Sequence, residues 1–219
     1  MSLAEEVYQI ADEMRAAANL GLQFAENPYD KERYERVLAA SARLVAALDQ
    51  RVPDEVLLQF KDNLSHVSPN AGASAAVFRD GGILLIRRED SGLWALPGGL
   101  ADVGETLADA AQRELWEEAE VRGKATRLLG IWDSRLIRGQ TKAQMYFAVF
   151  LVAVEEGEPQ SGPETTDVGF FAEGELPELH PGHDVVVPLA FKLTREELPV
   201  PYFDSGDPAR RQEPDLATI

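Results

Sequence analysis

Three glutamates and one arginine within a short segment could form a site for a divalent cation. Glu114, Glu117 and Glu118 are spaced i, i+3 and i+4, so on a helix they share one surface. Like charges at this spacing repel each other, which leaves two interpretations: a solvated acidic face, or a site for a positive partner. Carboxylate oxygens are hard ligands that suit Mg²⁺ or Mn²⁺. Arg113 could hold one of the glutamates in place from the side.

The loop before this helix favours the cation site. Residues 96–99 read Leu-Pro-Gly-Gly, and a tight glycine turn lets backbone carbonyls approach a bound ion or phosphate. Glu105 follows the loop and stands just before a helix predicted over 106–120, with Thr106 as its N-cap. The alternative is that the glycines form an ordinary loop and that Glu105 is a favourable charge at a helix N-terminus.

This segment resembles the Nudix box, whose pattern is Gly, five residues, Glu, seven residues, then Arg-Glu-aliphatic-any-Glu-Glu-any-Gly-aliphatic. One position departs from the pattern, because Glu120 occupies the place of the last glycine. That glycine normally ends the helix in a left-handed turn, so its loss predicts an altered helix exit, with Gly123 as the substitute stop. The matching residues are Gly99, Glu105, Arg113, Glu114, Leu115, Glu117, Glu118 and Val121.

The resemblance implies a fold, an activity and a role for each residue of the box. The fold would be α/β (α+β), a Nudix-like α/β/α sandwich with a mixed sheet that extends from about Ser68 to about Leu193. The activity would be hydrolysis of the pyrophosphate bond in a nucleoside diphosphate linked to another moiety. By resemblance, Mg²⁺ or Mn²⁺ would be held by Glu114, Glu117, Glu118 and the Gly98 carbonyl. Gly99 and Glu105 would support the site, and Arg113 would orient a glutamate.

The general base and the phosphate ligands would come from outside the box. Glu164, in a loop before a predicted strand, is the candidate base, with Glu117 or Glu118 as alternatives. Cationic side chains that could contact phosphates, or could equally form surface salt bridges, occur in two groups: Arg87 and Arg88 at a strand end, and Arg135, Arg138 and Lys142 between two strands.

Composition limits the class of protein. The chain has 219 residues, no cysteine and a formal net charge of -17. Such a surface repels nucleic acid, whose binding normally needs clustered Lys and Arg. We see no signal peptide and no apolar run of membrane-spanning length, and the lack of cysteine fits a reducing compartment. The sequence therefore predicts a cytoplasmic protein that binds a small molecule, with no nucleic-acid or membrane partner.

Hydrophobic periodicity predicts an N-terminal helical extension over 1–66, a catalytic domain over 67–198 and a tail over 199–219. Residues 4–50 form an antiparallel helical hairpin, with Asp30 as the N-cap of the second helix. Ser41 is expected to bond to a carbonyl one turn earlier. A third short helix is expected over 53–65. The hairpin makes only a thin core, and its layout resembles a Nudix subgroup with an N-terminal extension, so we expect a homodimer.

In the catalytic domain, strand 73–78 is expected to pair with strand 83–87 through a turn at 80–82. Further strands are expected over 125–132, 143–154 and 168–171, with a terminal helix that includes 188–193. Trp94 is expected to pack beneath the glycine loop, and Trp132, Tyr146 and Phe147 in the core. His180 and His183 are expected to be loop residues.

Three functions are compatible with the sequence. The first is a Mg²⁺- or Mn²⁺-dependent pyrophosphohydrolase acting on CDP-choline, ADP-ribose or a UDP-sugar. The second is clean-up of nucleoside triphosphates or cap-like RNA ends, against which the acidic surface counts. The third is a non-catalytic nucleotide-sensing domain. Since such domains can lose box glutamates and this one keeps all four, the first is favoured. The sequence does not distinguish the nucleobase, the linked group or the number of metals.

Overall fold

The structure is a computed structural model that describes residues 2–65, 67–137 and 144–204. The chain forms two compact units, Met1–Asn70 with Thr141–Gln144, and Ala71–Gln140 with Met145–Ile219. The described part of the first unit contains three helices, and none of the described helices is long and apolar enough to cross a membrane. These helices are α1 (Leu3–Phe24), α2 (Pro28–Asp49) and α3 (Pro53–Asp62).

The second helix begins earlier than its sequence suggested. Asn27, and not Asp30, is the N-cap, and its Oδ1 accepts the Asp30 N–H at 2.8 Å. Pro28 occupies the first helical position, where a fixed φ suits the helix and the missing N–H costs nothing. The Asn-Pro pair therefore outcompetes Asp30 as the start of the helix.

Ser41 joins two helices instead of bonding within its own. Its hydroxyl donates to the Ala11 carbonyl of α1 at 2.7 Å, so the expected bond one turn earlier is wrong. Both residues are fully buried, and a small side chain on each helix allows this close approach. A small core then forms across the three helices from Ala18, Leu38, Ala42, Ala46, Val56 and Phe60.

The second unit contains two sheets among its described residues. The strands are β1 (Asn70–Ala76), β2 (Phe78–Arg79), β3 (Gly82–Arg88), β4 (Trp94–Ala95), β5 (Gly98–Leu100), β6 (Arg122–Asp133), β7 (Met145–Glu156), β8 (Thr165–Ala172) and β9 (Tyr202–Phe203). One sheet has the strand order β5-β1-β7-β6-β9, and the other has β2-β3-β4 with β8 paired to β3. Most pairs are antiparallel, but β6 and β9 are parallel, so the predicted mixed sheet is confirmed.

The strand predicted over 73–78 is divided between the two sheets. Only β2 pairs with β3, through Phe78 opposite Ile83, whereas β1 pairs with β5, with Ser74 opposite Gly98. The chain changes sheet at the buried residue Val77. As a result, β1 lies directly beside the glycine loop.

Alternate residues of β3 face two different helices. Ile83 and Leu85 belong to a core that includes the helix α5 (His183–Thr194). Leu84 and Ile86 belong to a second core, which includes the helix α4 (Leu107–Ala119). Because successive side chains of a strand point to opposite faces, this sheet lies between two helices. The predicted α/β (α+β) sandwich is confirmed.

The predicted terminal helix is confirmed as α5, which begins at His183 and includes 188–193. Tyr202–Phe203 forms the short strand β9 within the expected tail. The Tyr202 ring stacks on the buried Trp132 at 5.3 Å between centroids. The remaining tail residues, 205–219, lie outside the described structure.

The predicted core placement is confirmed for two of three aromatic side chains. Trp132 and Phe147 are core residues. Trp94 packs edge-on against Phe171 at 4.7 Å. Tyr146 is 44% exposed, so its placement in the core is wrong. It stands opposite Asp133 in the register of β6 and β7, on the sheet face opposite to Phe147.

Candidate active site

The helix α4 presents its acidic residues beside a buried apolar stripe. Thr106 is its N-cap, as predicted, and the hydroxyl accepts the Asp109 N–H at 3.2 Å. Ala111 and Leu115 are fully buried, and this anchors the helix against the sheet. Glu118 lies next to this stripe and is itself only 8% exposed. A carboxylate at this depth needs a specific partner.

The helix exit is not altered by the missing glycine. Glu120 adopts the left-handed conformation at φ 54° and ψ 26°, and its N–H donates to the Trp116 carbonyl at 2.9 Å. Gly123 lies within β6 opposite Val154, so the prediction that it stops the helix is wrong. Glu120 is exposed, and the left-handed turn costs a non-glycine residue only about 1–2 kcal/mol. The surrounding contacts of the helix end are sufficient to offset this cost.

The glycine loop is bound tightly to α4. The Gly98 N–H donates to Glu118 Oε2 at 2.8 Å, and the Pro97 carbonyl accepts the Ala75 N–H of β1 at 2.8 Å. A Cβ on Gly99 would overlap Glu114 Oε1, so only glycine allows this carboxylate to lie against the backbone. These contacts connect the glycine loop to both β1 and the acidic helix.

Arg113 connects the supporting glutamate to two glutamates of the helix. Its guanidinium binds Glu105 through Nε at 2.8 Å and Nη2 at 3.1 Å. Its Nη1 donates to Glu114 Oε1 at 2.8 Å and to Glu117 Oε2 at 2.9 Å. The Leu100 carbonyl accepts a further bond from Nη2 at 3.0 Å. The hydrogen bonds that Arg113 donates to Glu105, followed by those to Glu117 and Glu114, raise the pKa of Arg113.

The two enclosed glutamates lie in an environment that disfavours their charge. Burial raises the pKa of Glu118 to about 7. The hydrogen bond from the Gly98 N–H acts in the opposite direction, and the charges of Glu114 and Glu164 raise the pKa further. Burial also raises the pKa of Glu114, against the effect of Arg113. Neighbouring carboxylates that each resist ionisation are the arrangement that a cation would relieve.

The loop before β8 closes the C-terminal end of α4. The Glu118 carbonyl accepts the Gly162 N–H at 3.2 Å and the Thr165 hydroxyl at 2.9 Å. Helix carbonyls at this end have no partner within the helix, so the loop satisfies them. Glu164 is exposed on this loop, and its charge acts on both Glu114 and Glu118. The predicted base therefore lies near the acidic helix.

The three cationic side chains that the structure describes among the phosphate-binding candidates have protein partners. Arg87 donates from Nε to the Gly92 carbonyl at 2.8 Å, and Arg88 binds both oxygens of Asp90 at 3.0 and 2.7 Å. Arg88 is near enough to Glu118 and Glu164 for their charges to raise its pKa, after the larger effect of its Asp90 bond. Arg135 pairs with Asp133 at 2.6 Å. Arg138 and Lys142 lie outside the described residues.

One residue of this region was missed by sequence analysis. His183 was expected in a loop, but it is the first residue of α5, and its Nδ1 accepts the Leu96 N–H at 3.2 Å. The available signal was Pro181-Gly182 followed by an apolar helical run, which is a pattern of helix initiation. His180 lies in the loop, as expected.

The residues of α4 fit a divalent cation, although they do not form a complete metal site alone. In the described part of the chain, no group of three or more His, Asp or Glu side chains is arranged to hold a metal ion. The fit rests on the chemistry of the donors: hard carboxylate oxygens from Glu114 and Glu118, both with raised pKa, against a glycine backbone that leaves no room for a side chain. Water and phosphate oxygens would complete the ligand set.

The chain matches two known domains. Residues 68–190 match the NUDIX domain, and residues 5–60 match the UDP-X-like, N-terminal oligomerisation domain. The chain is 32% identical over 172 residues to a Bacillus subtilis protein named "Putative ADP-ribose pyrophosphatase YjhB", covering 78% of this chain and 83% of that protein.

Two solved structures share the fold. The crystal structure of a UDP-X diphosphatase is 27% identical, with a TM-score of 0.59, and covers 92% of this chain and 99% of its own. That of an ADP-ribose pyrophosphatase from Streptococcus suis is 31% identical, with a TM-score of 0.54, and covers 63% of this chain and 100% of its own. With a matching domain over 68–190 and an acidic helix built as its pattern requires, the chain belongs to the Nudix hydrolase family.

Proposed function

We propose that this protein hydrolyses the pyrophosphate bond of a nucleoside diphosphate linked to another moiety, with ADP-ribose and UDP-sugars as the first candidates. The observation that carries the proposal is the pair Glu114 and Glu118, enclosed against the Gly98-Gly99 backbone. The names of the similar proteins support this substrate class, since they include ADP-ribose pyrophosphatases and a UDP-X diphosphatase.

Glu114, Glu117, Glu118 and the Gly98 carbonyl would hold Mg²⁺ or Mn²⁺. When bound, the ion would neutralise charge on two neighbouring phosphates and lower the pKa of the attacking water. Arg113 would release Glu117, its most exposed partner with a side chain 53% accessible, and would keep Glu105. The bidentate bond to Glu105 holds the guanidinium in one orientation while the helix glutamates change partners.

Glu164 would act as the general base. It is exposed, so it can reach water and substrate, and it lies two residues from Gly162, which is bonded to the end of α4. Arg88 would bind a substrate phosphate by exchanging its Asp90 partner for phosphate oxygens. Arg87 and Arg135 are weaker candidates. A backbone carbonyl holds Arg87, and the largely buried Asp133 holds Arg135.

The experiment measures phosphate release, coupled to a phosphatase, from ADP-ribose, UDP-glucose, CDP-choline and nucleoside triphosphates, with and without Mg²⁺ or Mn²⁺. We expect metal-dependent cleavage of the first two. Glu118→Gln should lower kcat/KM more than about 100-fold. Glu120→Gln is the matched control, since it changes the same group two residues further along at an exposed position. If no compound of the panel is cleaved while nucleotides still bind, the non-catalytic sensing function would replace the proposed hydrolase activity.

The N-terminal unit would form a homodimer. Its family description is that of an oligomerisation domain, and α1 exposes a row of large apolar side chains. Leu3, Ile10 and Phe24 are separated by multiples of seven residues, so they lie along one stripe and are 77%, 44% and 70% exposed. Light scattering on the full chain should give twice the monomer mass. Ile10→Asp with Phe24→Asp should reduce that mass by half, and an unchanged mass would exclude this stripe from the interface.

A further inference from the structure

Besides its pairing with β3, the strand that leads into the glycine loop is joined by three hydrogen bonds to the segment 178–183. The Trp94 N–H donates to the Glu178 carbonyl at 3.0 Å, and the His180 N–H donates to the Trp94 carbonyl at 2.8 Å. The Leu96 N–H, two residues further on, donates to Nδ1 of His183 at 3.2 Å. The first two bonds are backbone contacts of a short parallel bridge. A side chain therefore takes the place that a strand carbonyl would occupy in a longer ladder.

The three residues from Leu96 to Gly98 are anchored to three different elements. Leu96 is bonded to α5 through His183, the Pro97 carbonyl to Ala75 of β1, and the Gly98 N–H to Glu118 of α4. Leu96 is 2% exposed, so its N–H has no access to bulk water and needs an acceptor from the protein. Without His183, the chain would have to shift at Leu96, and the shift would reach Gly98 two residues later.

The imidazole can serve as this acceptor only when Nδ1 carries no proton. Burial, followed by the charges of His180 and Arg88, lowers the pKa of His183 to about 3. The ring is therefore neutral at physiological pH, with its proton on Nε2. The neighbouring His180 has a different role: its ring lies 6.0 Å away, and its Nδ1 is 3.1 Å from the Pro181 carbonyl.

We propose that His183 is a positioning residue for hydrolysis: its Nδ1 holds the Leu96 N–H and so keeps the glycine loop at a set distance from the carboxylates of α4. The proposal rests on the function proposed above. The loop and Glu118 meet through one hydrogen bond, and the enclosed carboxylates leave little freedom for adjustment. A displacement on the order of 1 Å at such a site can lower turnover about 100-fold.

The test compares His183→Leu, which removes the acceptor, with His183→Asn, whose Oδ1 can replace Nδ1. His180→Asn is the matched control for loss of a neighbouring histidine. We expect His183→Leu to lower kcat and to raise the Mg²⁺ concentration for half-maximal activity, each by about 10–100-fold, with a smaller change in KM. His183→Asn should recover most of the loss, and His180→Asn should stay within about threefold of wild type.

Two further measurements do not depend on turnover. Hydrogen exchange followed by mass spectrometry should show the Leu96 amide protected in wild type and His183→Asn, and fast in His183→Leu. Mn²⁺ binding followed by electron paramagnetic resonance should weaken only in His183→Leu. If the substrate panel is silent, the proposed function fails while these two measurements still test the positioning role.

Two results would overturn the inference. One is a folded His183→Leu variant with wild-type turnover and Mn²⁺ affinity. The other is an equal loss of turnover and Mn²⁺ affinity in His183→Leu and His183→Asn. Such a result would show that the packing of the imidazole ring matters and that its Nδ1 acceptor does not. If His183→Leu does not fold, hydrogen exchange of the wild-type protein tests the inference. An unprotected Leu96 amide would contradict the hydrogen bond to His183 on which the inference is built.

Discussion

Replacing Gly162 by alanine should disturb the end of the acidic helix more than the addition of one methyl group suggests. A Cβ on Gly162 would overlap the Glu117 carbonyl oxygen and would lie 2.9 Å from the Glu117 carbonyl carbon. Both atoms belong to the backbone of α4, so no side-chain rotation can make room. The loop must move away from the helix, and it carries two donors that satisfy the Glu118 carbonyl.

The expected loss of stability can be estimated from these contacts. The bonds from the Gly162 N–H and the Thr165 hydroxyl contribute on the order of 1 kcal/mol each, and a carbonyl left buried without a partner costs about 1–3 kcal/mol. Alanine returns roughly 0.5 kcal/mol by restricting the unfolded chain. The net effect is a destabilisation of about 2.5–4.5 kcal/mol, or about 5–18 °C in Tm. Turnover should fall as well, because Glu164 moves with the loop.

Urea unfolding and kcat/KM on the best nucleoside diphosphate substrate would measure both effects. Gly174→Ala is the matched control, since a Cβ there meets nothing within 4 Å and the residue does not have a positive φ. It should change stability by less than about 1 kcal/mol and leave turnover intact. If Gly162→Ala behaves like Gly174→Ala in both assays, the loop does not depend on close contact with α4 and the reasoning fails.

Three other predictions concern the helix and its neighbours. Glu120→Gly should raise the unfolding free energy by about 1 kcal/mol, because glycine adopts the left-handed exit without strain; a lower Tm would contradict this. Burial, as the largest cause, lowers the pKa of His183 to about 3, and also lowers that of His180. The unfolded chain binds these protons near pH 6.5, so the contribution of the two histidines to stability should be complete above pH 7 and should fall as pH decreases towards 4. His183→Asn should flatten that slope in urea melts at several pH values, and an unchanged slope would exclude His183 as its source. Arg113→Lys should lower kcat about 10–100-fold, since an ammonium cannot form the bidentate bond to Glu105. Wild-type kinetics in this variant would show that the bidentate bond is dispensable.

Sequence reasoning succeeded where a local pattern was sufficient. The spacing of Glu114, Glu117 and Glu118 places them on one helix face whatever surrounds the helix, and Thr106 caps that helix through its own hydroxyl. It was less successful where neighbours in space compete with neighbours in sequence. Ser41 bonds to a different helix, and the strand at 73–78 is divided between two sheets. Neither partner can be read from a local window.

The acidic helix, the glycine loop before it and the family to which both belong could be predicted from the amino-acid sequence, because they depend on short spacings along one chain. The enclosure of Glu118, the closure of the helix end by Gly162 and the bond between His183 and Leu96 became visible in the folded structure. These facts depend on segments far apart in sequence that meet in the fold, where burial alters both pKa values and hydrogen-bond needs. Glu118 in a solvated helix would have an ordinary pKa, so its enclosure distinguishes this helix from a solvated acidic face.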